Sequence, residues 1–254
     1  MALHMQGPHD NESMSSPQPE ASANQLLSHL DPEALQRLGP HLKLVTFRVQ
    51  EILYHPEAHI RQIYFPENAV LCMLTVMEDG RTIESATVGR EGASWISASM
   101  GAPTMPCQTM VAVGGEGLVV DVGYVEDEIR HNGSFHQALT RYSHSLLIHA
   151  LRTGSCNGLH SLRQRCARWM LTTLDRTSAG DFVVTHEFLA SLLGCSRPVL
   201  TGVLGELEQN GGIALHRGSI HVVNRTQLEA CTCECYWVIR RNQEGLQQGL
   251  KKGS

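Results

Sequence analysis

The sequence has no run of about 18 apolar residues, the least that a helix needs to cross a bilayer. Apolar residues make up 42% of its 254 positions, an ordinary share for a soluble globular chain. The first 24 residues lack a basic start followed by an apolar core, so they do not read as a secretory signal. They are rich in Ser, Pro, Gln, Asn and Glu and read as a disordered tail. Excess positive charge is also missing. The formal net charge is −5, unlike that of a chain that coats nucleic acid without selectivity. No paired carboxylates and no nucleophile beside a base argue for catalysis, so no catalytic residue is assigned. No unit repeats, and paired Cys-x-x-Cys knuckles, the strongest zinc signature, are absent.

Eight cysteines stand at 72, 107, 156, 166, 195, 231, 233 and 235. Most lie singly in apolar segments and read as reduced thiols of a cytoplasmic protein. The exception is Cys231-Thr232-Cys233-Glu234-Cys235. Soft thiolates bind zinc, copper(I) or iron–sulfur clusters. In a helix, residues two apart point about 200° apart, so Cys231 and Cys235 share a face and Cys233 does not. The triplet fits two readings: small core residues with no metal, or a metal or redox pair made of Cys231 and Cys235. No cofactor is assigned.

What is present is concentrated between Thr185 and Val223. Thr185 is placed to cap a helix with apolar positions Phe188, Leu189, Leu192 and Leu193. Gly194 ends it in a tight turn. Ser196 starts a second helix with Pro198 in its first turn and Leu200, Val203, Leu204 and Leu207 on one face. Asn210, Gly211 and Gly212 stop that helix. Ile213–Leu215 and Ile220–Val223 then read as strands around a His216-Arg217-Gly218-Ser219 tip. Helix, turn, helix and hairpin outline a winged helix-turn-helix. From Ser161 to Arg241, nine arginines face seven acids, a local balance compatible with a DNA-binding patch.

Upstream, Asn24–Leu38 reads as a short helix. Strand-like runs follow at 42–49, 51–54, 62–65, 70–76, 82–88, 108–113 and 117–122, with Asp79-Gly80 as a hairpin tip. This spacing suggests an antiparallel roll. Phe135, Leu139, Tyr142, Leu146 and His149 then recur at alternating steps of four and three. Such a stripe fits a dimer seam or a helix packed on its own domain. Gly154–Gly158 is poor helix material and fits either a hinge or the helix end. Leu159–Asp175 reads as an amphipathic helix with Arg163, Arg165 and Arg168 outside. The fold class is α+β: an N-terminal jelly-roll-like antiparallel β-roll, a long helix and a winged helix-turn-helix. The divisions are a disordered tail (1–24), a sensor roll (25–124), a dimerisation helix with hinge (125–158), the DNA-binding domain (159–237) and a flexible tail (238–254).

This order resembles the Crp/Fnr family of bacterial transcription regulators. The stretches that carry the resemblance are LLGCSRPVLTGVLGELEQNGGI at 192–213, HRGSIHVV at 216–223 and YFPENAVLCMLTVMEDGRTIESATVGREG at 64–92. It implies a homodimer on two-fold symmetric double-stranded DNA, partnered by RNA polymerase, with no membrane association. By the same resemblance, Ser196 and Arg197 open the recognition helix, Arg197 matches a guanine-reading arginine, and Thr185 matches a phosphate contact. Val199, Leu200 and Thr201 either offer apolar contact to thymine or face the core, and Arg217 offers a wing contact to phosphate. The chain departs from the family at Pro198, where many members have glutamate, and at Gly202, where a second arginine is common. The sensor cassette maps onto Gly89, Arg90, Glu91, Gly92, Cys107 and Gln108. Its end, Pro106-Cys107-Gln108-Thr109, lacks the arginine that neutralises a cyclic phosphate, so cAMP binding is not expected. The competing class is a ligand- or metal-binding roll, cupin-like or built on the cysteine triplet. Its histidines, His41, His55 and His59, lack a cupin's spacing.

Overall fold

The computed structural model describes residues 22–94, 102–177 and 181–251. Residues 1–21 of the expected tail lie outside these. Asn24, at that tail's end, is buried, and its amide donates to Pro66 O and Gly92 O, both at 2.8 Å. A 3-10 turn at Leu27–His29 precedes helix α1 (Pro32–Leu38). The Asp31 carboxylate caps α1 by accepting from Ala34 N at 2.7 Å, and Pro32 takes the first turn, where a missing N–H is harmless.

Strands β1 (Lys43–Phe47), β2 (Ile52–Tyr54), β3 (Gln62–Pro66), β4 (Val70–Val76), β5 (Thr82–Val88), β6 (Gln108–Val113) and β7 (Gly115–Asp121) follow. They pair antiparallel into two sheets, ordered β1-β7-β3 and β2-β6-β4-β5. The expected limits of β4, β5 and β6 coincide with the observed ones, and β4 and β5 form the predicted hairpin. Gly80 at its tip has φ +83°, a conformation that glycine adopts without strain.

The long helix is two helices, α2 (Val122–Arg130) and α3 (Ser134–Leu159). Asn132, with φ +53°, turns the chain between them. The expected hinge at Gly154–Gly158 does not interrupt α3, which runs through it to Leu159. Helix α4 (Leu162–Leu174) starts with a Ser161–Gln164 capping box. Then come β8 (Asp181–Val183), α5 (His186–Leu192), α6 (Arg197–Gln209), β9 (Ile213–His216), β10 (Ser219–Val222), α7 (Arg225–Ala230) and α8 (Glu234–Lys251). The flexible tail expected from 238 is corrected by α8, which is helical to Lys251. Tyr236, Ile239 and Leu246 recur on one face of it and are buried, a stripe that the polar composition around them masks. Helix α8 lies antiparallel on α3. Cys233 and Glu234 meet Cys156 and His160 at one end, and Asn242 and Leu246 line one groove with Arg141 and Ser145 at the other. No single described helix is long and apolar enough to cross a membrane.

Strand alternation explains how the domains join. Along β4, Leu71 and Met73 face the roll's interior with Phe65, Val111 and Leu118. Val70, Cys72 and Leu74 face the other way and pack with Cys166, Trp169, Met170, Leu189 and Leu204. The apolar run of β4 therefore serves two cores, one inside the roll and one between the roll and the C-terminal helices.

Candidate nucleic-acid interface

Helices α5 and α6 form a helix-turn-helix with a bend of 101° between them. Thr185 caps α5, its hydroxyl accepting from Phe188 N at 3.2 Å. Phe188, Leu189, Leu192 and Leu193 are buried, as their spacing predicts. Gly194 sits at φ +62° in the turn, where a side chain would be strained. Its α-carbon also faces Ile83 of the roll, which would lie 3.0 Å from an added Cβ.

Helix α6 buries Leu200, Leu204 and Leu207 and leaves Ser196, Arg197, Pro198, Val199, Thr201 and Gly202 exposed at its start. The Ser196 hydroxyl makes no capping bond, so the first N–H groups of α6 remain open to an anion. The Arg197 guanidinium has no ion-pair or hydrogen-bond partner among the described residues. Thr201 is occupied differently: its hydroxyl donates to Arg197 O at 2.9 Å and lies 3.1 Å from His186 Nδ1. Its methyl group is left as the free part. His186 therefore ties the start of α5 to α6, a role for which nothing in the spacing gives a signal.

The wing is a three-stranded sheet, β8-β10-β9. Pairing of His216 with Ser219 leaves a two-residue loop, Arg217-Gly218, with Gly218 at φ +81°. Arg217 stands exposed at this tip. Strand β8, too short to show an alternation, was not foreseen.

A buried polar layer fastens this head to the roll. Arg168, expected on the outer face of α4, is instead 1% exposed, beside buried Trp169. Trp169 Nε1 donates to Glu84 Oε2 at 2.7 Å. Arg176 Nε donates to Glu91 Oε1 at 2.6 Å, with both side chains buried. Its other nitrogens reach Thr172 O at 3.0 Å and His149 Nδ1 at 3.4 Å. Burial, reinforced by the charges of Arg176 and Arg168, pushes His149 well below the usual imidazole value, so it accepts as a neutral ring. Burial also pushes the Glu84 carboxyl up, against the pull of Arg168 and Trp169. At the far end, Thr82 Oγ1 of the β4-β5 hairpin donates to Ser191 O at 3.3 Å, touching the helix-turn-helix directly.

Among the described residues, the segment read as a sensor cassette packs against the chain's own side chains. Gly89 backs onto Arg176, and Gly92 onto Tyr142, whose hydroxyl donates to Ala93 O at 3.0 Å. Glu91 is taken up by Arg176 and by Gly89 N, and Arg90 reaches Asp175 O at 3.4 Å. The cavity beside Glu91, Tyr142 and His149 measures about 10 Å3, room for one water at most. Cys107 and Gln108 are half-buried and do not line it.

The stripe Phe135, Leu139, Tyr142, Leu146 and His149 is buried within the chain, against the roll and α8. Its periodicity is accounted for by intrachain packing, the second of the two arrangements that the pattern fits. The cysteine triplet is not one helix: α7 ends at Ala230 and α8 begins at Glu234. Cys231 Sγ accepts from Arg163 at 3.2 Å, apart from Cys235, which turns inward with Cys233. The pairing of Cys231 with Cys235 is thereby corrected. The triplet breaks between two helices, so helical spacing does not govern it.

Residues 164–231 match the family model of the Crp-like helix-turn-helix domain. No curated protein matches the chain. Among solved structures, FixK2 from Bradyrhizobium japonicum superposes with a TM-score of 0.61 at 16% identity, over 76% of this chain and 98% of its own. The c-di-GMP-responsive regulator CLP from Xanthomonas campestris gives 0.60 at 15%, over 76% and 100%. A transcriptional regulator of the Crp/Fnr family from Eubacterium rectale gives 0.59 at 17%, over 81% and 96%. Residues 164–231 are thus similar to the Crp-like helix-turn-helix domain, and the chain as a whole shares the fold of the Crp/Fnr regulators.

Proposed function

We propose that this chain is a sequence-specific regulator of transcription that binds double-stranded DNA as a homodimer in the cytoplasm. The observation that carries this reading is the exposed, unpaired guanidinium of Arg197 at the start of a helix whose opposite face is buried. Arginine's planar fork matches O6 and N7 of guanine in the major groove. Val199 and the Thr201 methyl suit thymine methyls. Thr185, Ser196 and the open N–H groups of α6 suit phosphates, as does Arg217 at the wing tip.

The second partner is another copy of the chain. The outward face of α3 carries Thr140, His144, Leu147, Leu151, Gly154 and Gly158, again at alternating steps of four and three. Leu147 and Leu151 are 52% and 63% exposed, and no neighbouring atoms stand within 4 Å of the positions where Gly154 and Gly158 would carry Cβ atoms. An exposed heptad-like face with apolar and small residues supports pairing with its own kind. The seam is therefore assigned to this face, one step round the helix from the stripe first read as the seam. A two-fold dimer would set two reading heads about 34 Å apart along DNA.

The regulator does not answer to cAMP. Support comes from the missing arginine near Gln108, the engagement of Glu91 by Arg176 and the small size of the cavity beside Glu91, Tyr142 and His149. Calorimetry is expected to give no heat of cAMP binding, and micromolar affinity would overturn this point. Contact with RNA polymerase is proposed from the resemblance. The test of the whole reading is selection of bound DNA from a random pool, with the wild type and Arg197→Ala. A symmetric consensus is expected, and the variant should lose preference at one base per half-site, worth about 1–3 kcal/mol. Recovery of no consensus from the wild type would refute it.

A further inference from the structure

Four donor side chains outside the reading head converge where α3 ends and α8 begins. Cys156 and His160 lie one helical turn apart at the end of α3, a spacing that puts both on one face. Cys233 stands in the break before α8, and Cys235 lies in the first turn of α8. That break lets two residues only two apart face the same way. The Cys156 and Cys233 sulfurs are 3.5 Å apart, and Cys235 Sγ is 3.8 Å from His160 Nδ1. One donor atom from each of the four residues lies within 4.8 Å of every other. Cys156, Cys233 and Cys235 are 0%, 3% and 2% exposed.

We propose that Cys156, His160, Cys233 and Cys235 form a tetrahedral zinc site that clasps the C-terminal helix to the long helix. The span fits one ion: zinc–sulfur bonds of about 2.3 Å and zinc–nitrogen bonds of about 2.0–2.1 Å set neighbouring ligands roughly 3.5–3.8 Å apart. A multi-iron cluster distributes its thiolates over several metals and needs a wider cage. Three thiolates with an imidazole, in closed tetrahedral array, are a donor set that zinc takes as a structural ion.

The surroundings complete the chemistry. His160 Nε2 lies 3.2 Å from the Glu234 carboxylate, which fixes that nitrogen as the donor and leaves Nδ1 bare to ligate. Zinc with three thiolates carries a net charge of minus one, and the interior beside it supplies the opposite charge. Arg168 is almost fully buried, and its Nε has no hydrogen-bond partner among the described residues. As ordinary core residues, the thiols would have no use for an imidazole, its carboxylate and a buried cation. The match to the helix-turn-helix family ends at Cys231, so Cys233 and Cys235 fall beyond it.

The test uses the full chain purified without a histidine tag, reduced, stripped with chelator and titrated with Co(II) and then Zn(II). One Co(II) per chain is expected, with the intense visible bands of a tetrahedral site and sulfur-to-cobalt charge transfer, displaced by one equivalent of zinc. Cys233→Ser and Cys235→Ser should lose stoichiometric binding, and Cys231→Ser should keep it. Glu234→Gln should weaken zinc affinity about 10–100-fold. Because a serine variant can fail to fold, alkylation of the wild type mapped by mass spectrometry gives a second reading. Zinc should shield Cys156, Cys233 and Cys235, and leave Cys231 unchanged. Absence of stoichiometric metal in the reduced wild type overturns the proposal. So does a pale octahedral cobalt spectrum, a Cys156–Cys233 disulfide formed in place of metal binding, or equal shielding of Cys231.

Discussion

Arg176→Met removes the cation that joins the helix-turn-helix domain to the β-roll. Arg176 and Glu91 are 2% and 6% exposed at the side chain and meet at 2.6 Å. Deleting one member of such a pair strands the other charge, at a cost of about 3–5 kcal/mol. The bonds from Arg176 to Thr172 O and His149 are lost too, each worth on the order of 1 kcal/mol. Methionine fills most of the volume, so little cavity cost is added. Glu91 keeps one bond, from Gly89 N at 3.1 Å. The expected loss is therefore about 4 kcal/mol at neutral pH. Urea unfolding followed by tryptophan fluorescence is suited to the measurement, since Trp169 lies in the same layer. Adding Glu91→Gln should restore stability to within about 1 kcal/mol of the wild type. A single-variant loss below about 1 kcal/mol, or a double variant no better than the single, refutes the account of this layer.

Arg217→Ala should weaken DNA binding evenly across sequences and reduce the salt slope by about 1, read by fluorescence anisotropy at several salt concentrations; a change of preferred sequence would contradict a phosphate role. Leu151→Glu should convert the dimer to monomer in light scattering, because it puts a carboxylate on both sides of the proposed seam, whereas an unchanged mass would exclude that face. His149 has its pKa held well below 6.5 by burial and the adjacent arginines. Below pH 6.5 the unfolded chain gains a proton there that the native chain does not, so stability falls with acidification by up to about 1.4 kcal/mol per unit. His149→Gln should flatten that slope in urea titrations at pH 7.5 and 5.5. Glu84, pushed up by burial, acts in the opposite sense and does so equally in both proteins.

Local chemistry made much of the fold legible. Capping by Thr185, the turn at Gly194 and the apolar spacing of Leu200, Leu204 and Leu207 all depend on near neighbours, and each is found as read. What was not legible depended on partners distant in sequence. Arg168 reads as an outward residue from its charge, but in the fold it donates to Thr153 Oγ1 at 3.4 Å and has the opposite charge of Glu84, 84 positions upstream, within electrostatic reach. The stripe from Phe135 to His149 has a seam's period, but period alone does not say which partner covers it. Here the cover is the roll and α8, a helix that its polar sequence conceals. The cysteine triplet spans a break between α7 and α8 that its spacing does not reveal. Cys156 and His160, 77 and 73 residues before Cys233, carry no signal of their own in the sequence.

Strand β4 is a party wall. With Leu71 set in one room and Val70, Cys72 and Leu74 in the other, neither room can be emptied without undermining its neighbour. Heating or denaturant should therefore demolish roll and reading head together, in one step. Any displacement of α6 relative to the roll therefore has to come as a tilt of the whole partition, not as a swing of one domain on a loose tether.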